Sequence, residues 1–230
     1  MNKTHRQGFG WPHIFFVLVL GIVLFGISTP LVLRESKAGA RTEALNNAKA
    51  IAGGLVVFKS DRGAYPCAHT RKQLEEKGIH RLTKRDDANA YLAQLIVSDI
   101  IDDEGVFYAL KTGAIKGNNN IKTAKDILSK GENAFAYVMA LNQQPLTDVS
   151  SLTPLIIAPI KQGDAKAPLF DPNPYAGKYV YGAVDGSGKI GDITPTGQAL
   201  SKSHSHLLES GTPDSLFGSD TPIIKYPLGL

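Results

Sequence analysis

The sequence predicts an α+β fold: a long N-terminal transmembrane-amphipathic helix packed on a small, mainly antiparallel sheet. Three observations predict it. Ile14–Leu33 (IFFVLVLGIVLFGISTPLVL) is twenty residues in a row without a charge. At ~1.5 Å per residue, a helix of that length crosses a bilayer core of about 30 Å. Directly beyond, Leu45, Ala48, Ile51, Leu55 and Phe58 recur at three- and four-residue steps, the helical period. Further on, Asp185-Gly186-Ser187-Gly188 separates two apolar runs. That is a hairpin signal, because such residues accept positive φ.

With no spacer between them, the apolar run and the amphipathic stretch read as one helix from about Trp11 to Phe58, hydrophobic all round and then one-sided. Pro30 should kink it, lacking an N–H and clashing with the preceding turn. Gly63 and Pro66 bound its far end. Cys67–Asp87 is polar and charge-rich, a loop with a short helix. Asp86 or Asp87 can cap the next helix, whose apolar face is Tyr91, Leu92, Leu95 and Ile96. Val106–Leu110 reads as a short strand, Asn118–Asn120 as a loop and Thr123–Leu128 as a helical turn closed by Gly131. Ala134–Leu141 and Leu155–Ile160 are the strongest strand candidates, with Pro159 placing the second at an edge or ending it. Lys178–Ile193 is the hairpin, and from Thr194 on the Pro, Gly, Ser and Thr content predicts a loop-rich wrap or a partly disordered end. The chain thus divides into a basic leader (1–8), the transmembrane half of the helix (9–33) and one extracytoplasmic domain (34–230).

Several residues carry a family resemblance. Lys3, His5 and Arg6 precede Gly8-Phe9, and an apolar helix follows. A cut between Gly8 and Phe9 would make Pro30 the twenty-second residue of the processed chain. In leader, Gly-Phe and proline spacing the chain resembles the type IV pilin-like superfamily, the pilins and the pseudopilins of type II secretion. Ala44–Lys49 with Ile51, Leu55, Phe58, Asp61, Gly63, Tyr65 and Pro66 is similar to the helix end and first loop of a divergent type common in planctomycetes and verrucomicrobia. Asp103–Tyr108, Gly131–Tyr137 and Val184–Gly188 are similar to those relatives as well, so the likeness runs over roughly residues 8–195. It implies processing at Gly8 and Phe9, and assembly through the N-terminal helix at His13 and Pro30. Its expected partners are the membrane, other pilin-like subunits and the assembly machinery, and it leaves homo-oligomerisation open. His13 departs from the pattern. The superfamily usually has Glu there, paired with a neighbour's N-terminal amine, and a neutral imidazole with an unperturbed pKa near 6.5 cannot supply that pair. A tip pseudopilin also lacks this Glu, so the departure implies a minor or specialised subunit. Beside Trp11, His13 also reads as an interfacial residue.

Charge fits this topology. Of 25 basic residues, Lys3 and Arg6 lie in the leader, leaving 23 against 21 acids, and no Lys/Arg cluster interleaves with aromatics. Nucleic-acid binding is not expected. The short basic tail should stay cytoplasmic, and the domain should face the periplasm or the exterior from a single pass in the inner membrane. Cleavage after Ala38-Gly39-Ala40 is the competing reading of the N-terminus, but Arg34, Glu35 and Lys37 crowd that site and the helical pattern runs through it.

No residue set specifies catalysis, a cofactor or a metal. Asp99, Asp102, Asp103 and Glu104 are the densest acidic group; the resemblance raises calcium there, since some major pseudopilins bind it in their globular domain, but the spacing is not that of an EF-hand loop and a solvated helix end is the simpler reading. Asp185, Ser187 and Asp192 suit a turn. His204 and His206 are too few for zinc. Cys67, the lone cysteine, reads as a buried small hydrophobe with His69 close by in sequence. There is no Gly-x-Ser-x-Gly elbow and no phosphate loop. The reading is a structural or interaction subunit, not an enzyme; the alternative is a single-pass anchored binding module or enzyme.

Overall fold

A computed structural model describes residues 10–121, 127–140, 149–161, 168–201 and 205–230; of residues 12, 13, 23–31 and 140 it describes the backbone element only. Helix α1 runs without a break from Trp11 to Arg62, 52 residues. Gly10 caps its start, with Pro12 in the first turn, where a missing N–H costs no hydrogen bond. Its end is set as the sequence predicts: Gly63 turns the chain left-handed at φ 78° and its N–H donates to Lys59 O at 2.8 Å. Lys59 and Arg62 in the last turn complement the helix dipole. Pro30 lies inside this helix, and the kink expected there lies outside the described residues.

Two short helices follow, α2 (Ala68–Glu76) and α3 (Ala88–Val97). Asp87 caps α3, its carboxylate accepting from Ala90 N at 2.8 Å, and Tyr91, Leu92, Leu95 and Ile96 are all buried. The strand expected over Val106–Leu110 does not form. Asp103 Oδ1 accepts from Gly105 N at 2.7 Å, which draws Glu104–Phe107 into a 3-10 turn and sends Phe107 into the core. The helical turn expected over Thr123–Leu128 falls mostly on residues 122–126, outside the described residues.

The sheet has six strands, all antiparallel: β1 (Ala136–Ala140), β2 (Pro154–Ala158), β3 (Lys178–Ala183), β4 (Gly188–Ile193), β5 (Ala199–Leu200) and β6 (Pro222–Lys225), in the order β5-β4-β3-β2-β1-β6. The fold is α+β. β2 ends before Pro159 but is an interior strand, flanked by β3 and β1, so Pro159 marks its end and not an edge. The loop-rich tail does wrap the domain, and it also contributes β6 as an edge strand. Tyr226 O accepts from Ala88 N at 3.0 Å and Lys225 Nζ pairs with Asp86 at 2.7 Å, tying that edge to the start of α3.

Helix α1 lies across β3 and reaches β2 and β4. The contact is small against small. Ala44, Ala48 and Ala52, one turn apart, are fully buried, and Gly182 and Gly188 face each other across β3 and β4. A Cβ on Gly182 would fall 2.5 Å from Ala48 O and 2.7 Å from Ala52 Cβ, and one on Gly188 would fall 3.0 Å from Leu45 O. Replacing Gly182 with Ala should therefore force the helix off the sheet and cost about 1–3 kcal/mol. Urea melts of the detergent-solubilised chain check this; an unchanged midpoint would mean that the helix does not seat here. Ile51, Leu55 and Phe58 are fully buried and Leu45 partly so, as the helical period predicts.

Candidate functional site

The surface that distinguishes this molecule is the first half of α1. From Ile14 to Ile22 every residue is exposed, with the large apolar side chains between 42% and 68% accessible. Nine successive helical residues go round more than two turns, so a helix packed on its own chain would hide some of them. None is hidden. Val32 and Leu33 are likewise exposed at 61% and 58%. Burial against the domain is first complete at Ala44. One helix thus presents two surfaces: an apolar stretch over Ile14–Ile22 free of the domain, and a stripe of Ala, Ile, Leu and Phe sunk into it. Among the described residues no helix is long and apolar enough to cross a membrane. The run Ile14–Leu33 on which that expectation rests includes residues 23–31, whose side chains lie outside the described residues.

Of the residues expected to serve processing and assembly, Gly8 and Phe9 lie outside the described residues. His13 and Pro30 are on α1, near its start and at its middle, with side chains outside the described residues.

The other candidates separate. Cys67 is buried and free, at the cap of α2; its N–H donates to Thr70 Oγ1 at 2.8 Å, and Gln94 Nε2 donates to its carbonyl at 3.1 Å. His69 is exposed and engages Gln73 one turn on, so the Cys67–His69 proximity in sequence does not become a nucleophile–base pair. Asp185 accepts from Ser187 N at 2.8 Å and from the Ser187 hydroxyl, as a turn residue does, while Asp192 pairs with Lys178 across the hairpin. His206 makes an isolated bridge to Leu200, and His204 lies outside the described residues. No three His, Cys, Asp or Glu among the described residues are grouped to hold a metal.

Two features had no sequence signal. A cleft of about 560 Å³ lies beside β3 and β4, bounded by Tyr179, Tyr181, Lys189, Leu200, Asp214 and Leu216. Tyr179 and Tyr181 stack there at 5.9 Å, and the Tyr179 hydroxyl donates to Leu200 O at 2.7 Å. Burial pushes the Tyr179 and Tyr181 phenols above their ordinary range. Among the described residues the cleft has no His or Cys in its lining. The second feature is a buried polar network around Asn89, Glu104, Glu132 and Asn133. Its members are scattered over 45 residues of sequence, and only tertiary structure unites them.

Compared with family models, curated proteins and solved structures, the chain matches none.

Proposed function

We propose that this chain is a membrane-anchored pilin-like subunit, of the pseudopilin kind, with a structural role in a type IV pilus or a type II secretion-like assembly. One observation carries the proposal: a single uninterrupted helix that exposes apolar side chains on all sides over Ile14–Ile22, while its second half is part of the domain core. An exposed apolar cylinder of this extent is stable in lipid or against other helices, not in water. Because no loop interrupts α1, the anchor and the domain move as one body, which suits lateral packing of identical helices. The leader, Gly8-Phe9 and Pro30 agree with this reading, and the subunit is held in the inner membrane with its domain outside the cytoplasm.

Mass spectrometry of the membrane-extracted protein tests it. A new N-terminus at Phe9 is the expected result. An N-terminus at Arg41 would mean a secreted domain, and an intact leader would mean a plain anchor for a binding module. Replacing His13 with Glu supplies the carboxylate that pairs with a neighbour's N-terminal ammonium, so the variant should enter pilus or pseudopilus material more readily than the native chain at equal expression. Absence of both proteins from that material would overturn the assembly role.

A further inference from the structure

The stripe that seats α1 on the sheet does not begin with apolar residues. At seven-residue steps, two helical turns each, it follows two lines: Arg34, Arg41, Ala48, Leu55, and Lys37, Ala44, Ile51, Phe58. From Ala44 onward every member is fully buried in the domain core. The first three members are cations. They therefore lie on the face of α1 that turns toward the domain, but N-terminal to the point where the domain closes over it. Arg34 is exposed, and Lys37 and Arg41 are half-buried. The acids nearby do not answer this charge. Glu35 is exposed and stands about 100° round the helix from Arg34. Glu43 is on the far side of the helix, engaged by Lys116 at 3.4 Å. Among the described residues none of the three cations forms an ion pair.

Their position along the axis is as particular as their position around it. Arg34 directly follows Leu33, the last residue of the uncharged run. Lys37 and Arg41 lie about 6 and 12 Å beyond Leu33, at ~1.5 Å per residue. A lipid headgroup layer is roughly 5–7 Å thick. Helical side chains lean toward the helix N-terminus, so all three reach back toward the apolar run and not away from it. Their aliphatic stems lie along the helix while their charged heads meet the interface. With the apolar run in a bilayer, the three heads fall at the depth of lipid phosphates, in the notch between bilayer and domain. The positive-inside rule gives no reason for cations on the domain side of a span, so topology does not account for them.

We infer that Arg34, Lys37 and Arg41 bind the phosphate groups of anionic phospholipids in the leaflet nearest the domain. The inference rests on the part of the proposed function that places Ile14–Leu33 in a membrane, and is independent of processing and assembly. Arginine grips phosphate oxygens through its planar fork and lysine as a point charge. The site therefore favours lipids whose phosphate is not balanced by a choline or ethanolamine. Such binding fixes the depth of α1 and holds the domain close against the bilayer.

The test uses the full chain. Flotation with phosphatidylcholine vesicles comes first, and the chain should float and stay bound at high salt, because the apolar run alone suffices for insertion. Failure to float would remove the membrane placement and this inference with it. Chain held in mixed micelles with equal amounts of phosphatidylglycerol and phosphatidylcholine is then weighed intact, with its bound lipids, by native mass spectrometry. Phosphatidylglycerol should dominate, and its excess should fall as salt is raised. Arg34→Gln, Lys37→Gln and Arg41→Gln should each reduce that excess about 5-fold, and the triple variant should carry the two lipids equally. Lys49→Gln removes the same charge from the same helix about 24 Å beyond Leu33 and should leave the excess unchanged. In a chain that floats, equal lipid loads on the native protein, or an equal loss from Lys49→Gln, overturn the inference alone. So does a triple variant that keeps the preference but changes the number of copies per particle, which would set these cations against acids of a second copy.

Discussion

Replacing Phe58 with Ala is expected to lower the stability of the domain by about 3–5 kcal/mol. Phe58 is fully buried in the last turns of α1, where the helix is part of the same core as Ile51, Leu55 and the inward residues of β2 and β3. Truncation removes the ring's transfer free energy and leaves a cavity that the surrounding core fills only in part. Against a typical total of about 5–15 kcal/mol, that is a large share of the margin. Val57, its neighbour, is 48% exposed, and Val57→Ala should stay within about 0.5 kcal/mol. Urea denaturation of both variants, followed by a probe of the domain, separates the two. Equal losses would mean that α1 does not bury the face described above.

A comparable loss is expected from Asn89→Leu. Asn89 is fully buried and serves four partners: it donates to Leu128 O and Ser129 O, and its Oδ1 accepts from Leu228 N at 2.9 Å and from Asn133 Nδ2 at 3.1 Å. Leucine matches its size and would be neutral if only packing mattered. Each orphaned buried group instead costs about 1–3 kcal/mol, so the sum should be roughly 3 kcal/mol or more even after relaxation. The residue also joins three segments distant in sequence, the start of α3, the turn at Leu128 and the C-terminus at Leu228. Loss should therefore appear in hydrogen exchange first at the amides of Gly131 and Leu228, of which Gly131 N donates to Leu228 O at 3.0 Å. If Asn89→Leu melted like the native chain, the network would not be structural.

Much of the fold was legible because its signals are local. The apolar residues of α1 repeat at the helical period, Gly63 supplies the left-handed cap, and Asp87 caps α3. Asp-Gly at the hairpin and the apolar runs of β1 and β2 are also read within a few residues. One expectation failed where a nearby contact overrode the pattern. Val106–Leu110 reads as a short strand, but the Asp103 carboxylate bonds the Gly105 amide and makes a turn. Pro159 left two readings, an edge or an end, and it is the end: a proline just past the last paired residue needs no ladder hydrogen bond, so β2 can sit in the interior.

The sequence by itself determined the elements: where the long helix starts and stops, that its two halves must meet different surroundings, and that an antiparallel hairpin follows. Those are properties of residues within one or two turns of each other, and periodicity and cap chemistry report them. Tertiary structure alone decided what the elements bring together. Gly188 reads as part of a turn but lies in β4, where its missing side chain, like that of Gly182, lets Ala48 and Ala52 press onto the sheet. β6, a four-residue strand in a tail of turn formers, gains its place from β1 and Asp86 and not from its own propensity. Glu104 looks like one of four solvated acids, yet it is the one turned inward, opposite a Glu132 that lies 28 residues away in sequence. Such pairings depend on how the chain returns on itself. They leave no period in the sequence, because burial and charge contact are set by neighbours in space.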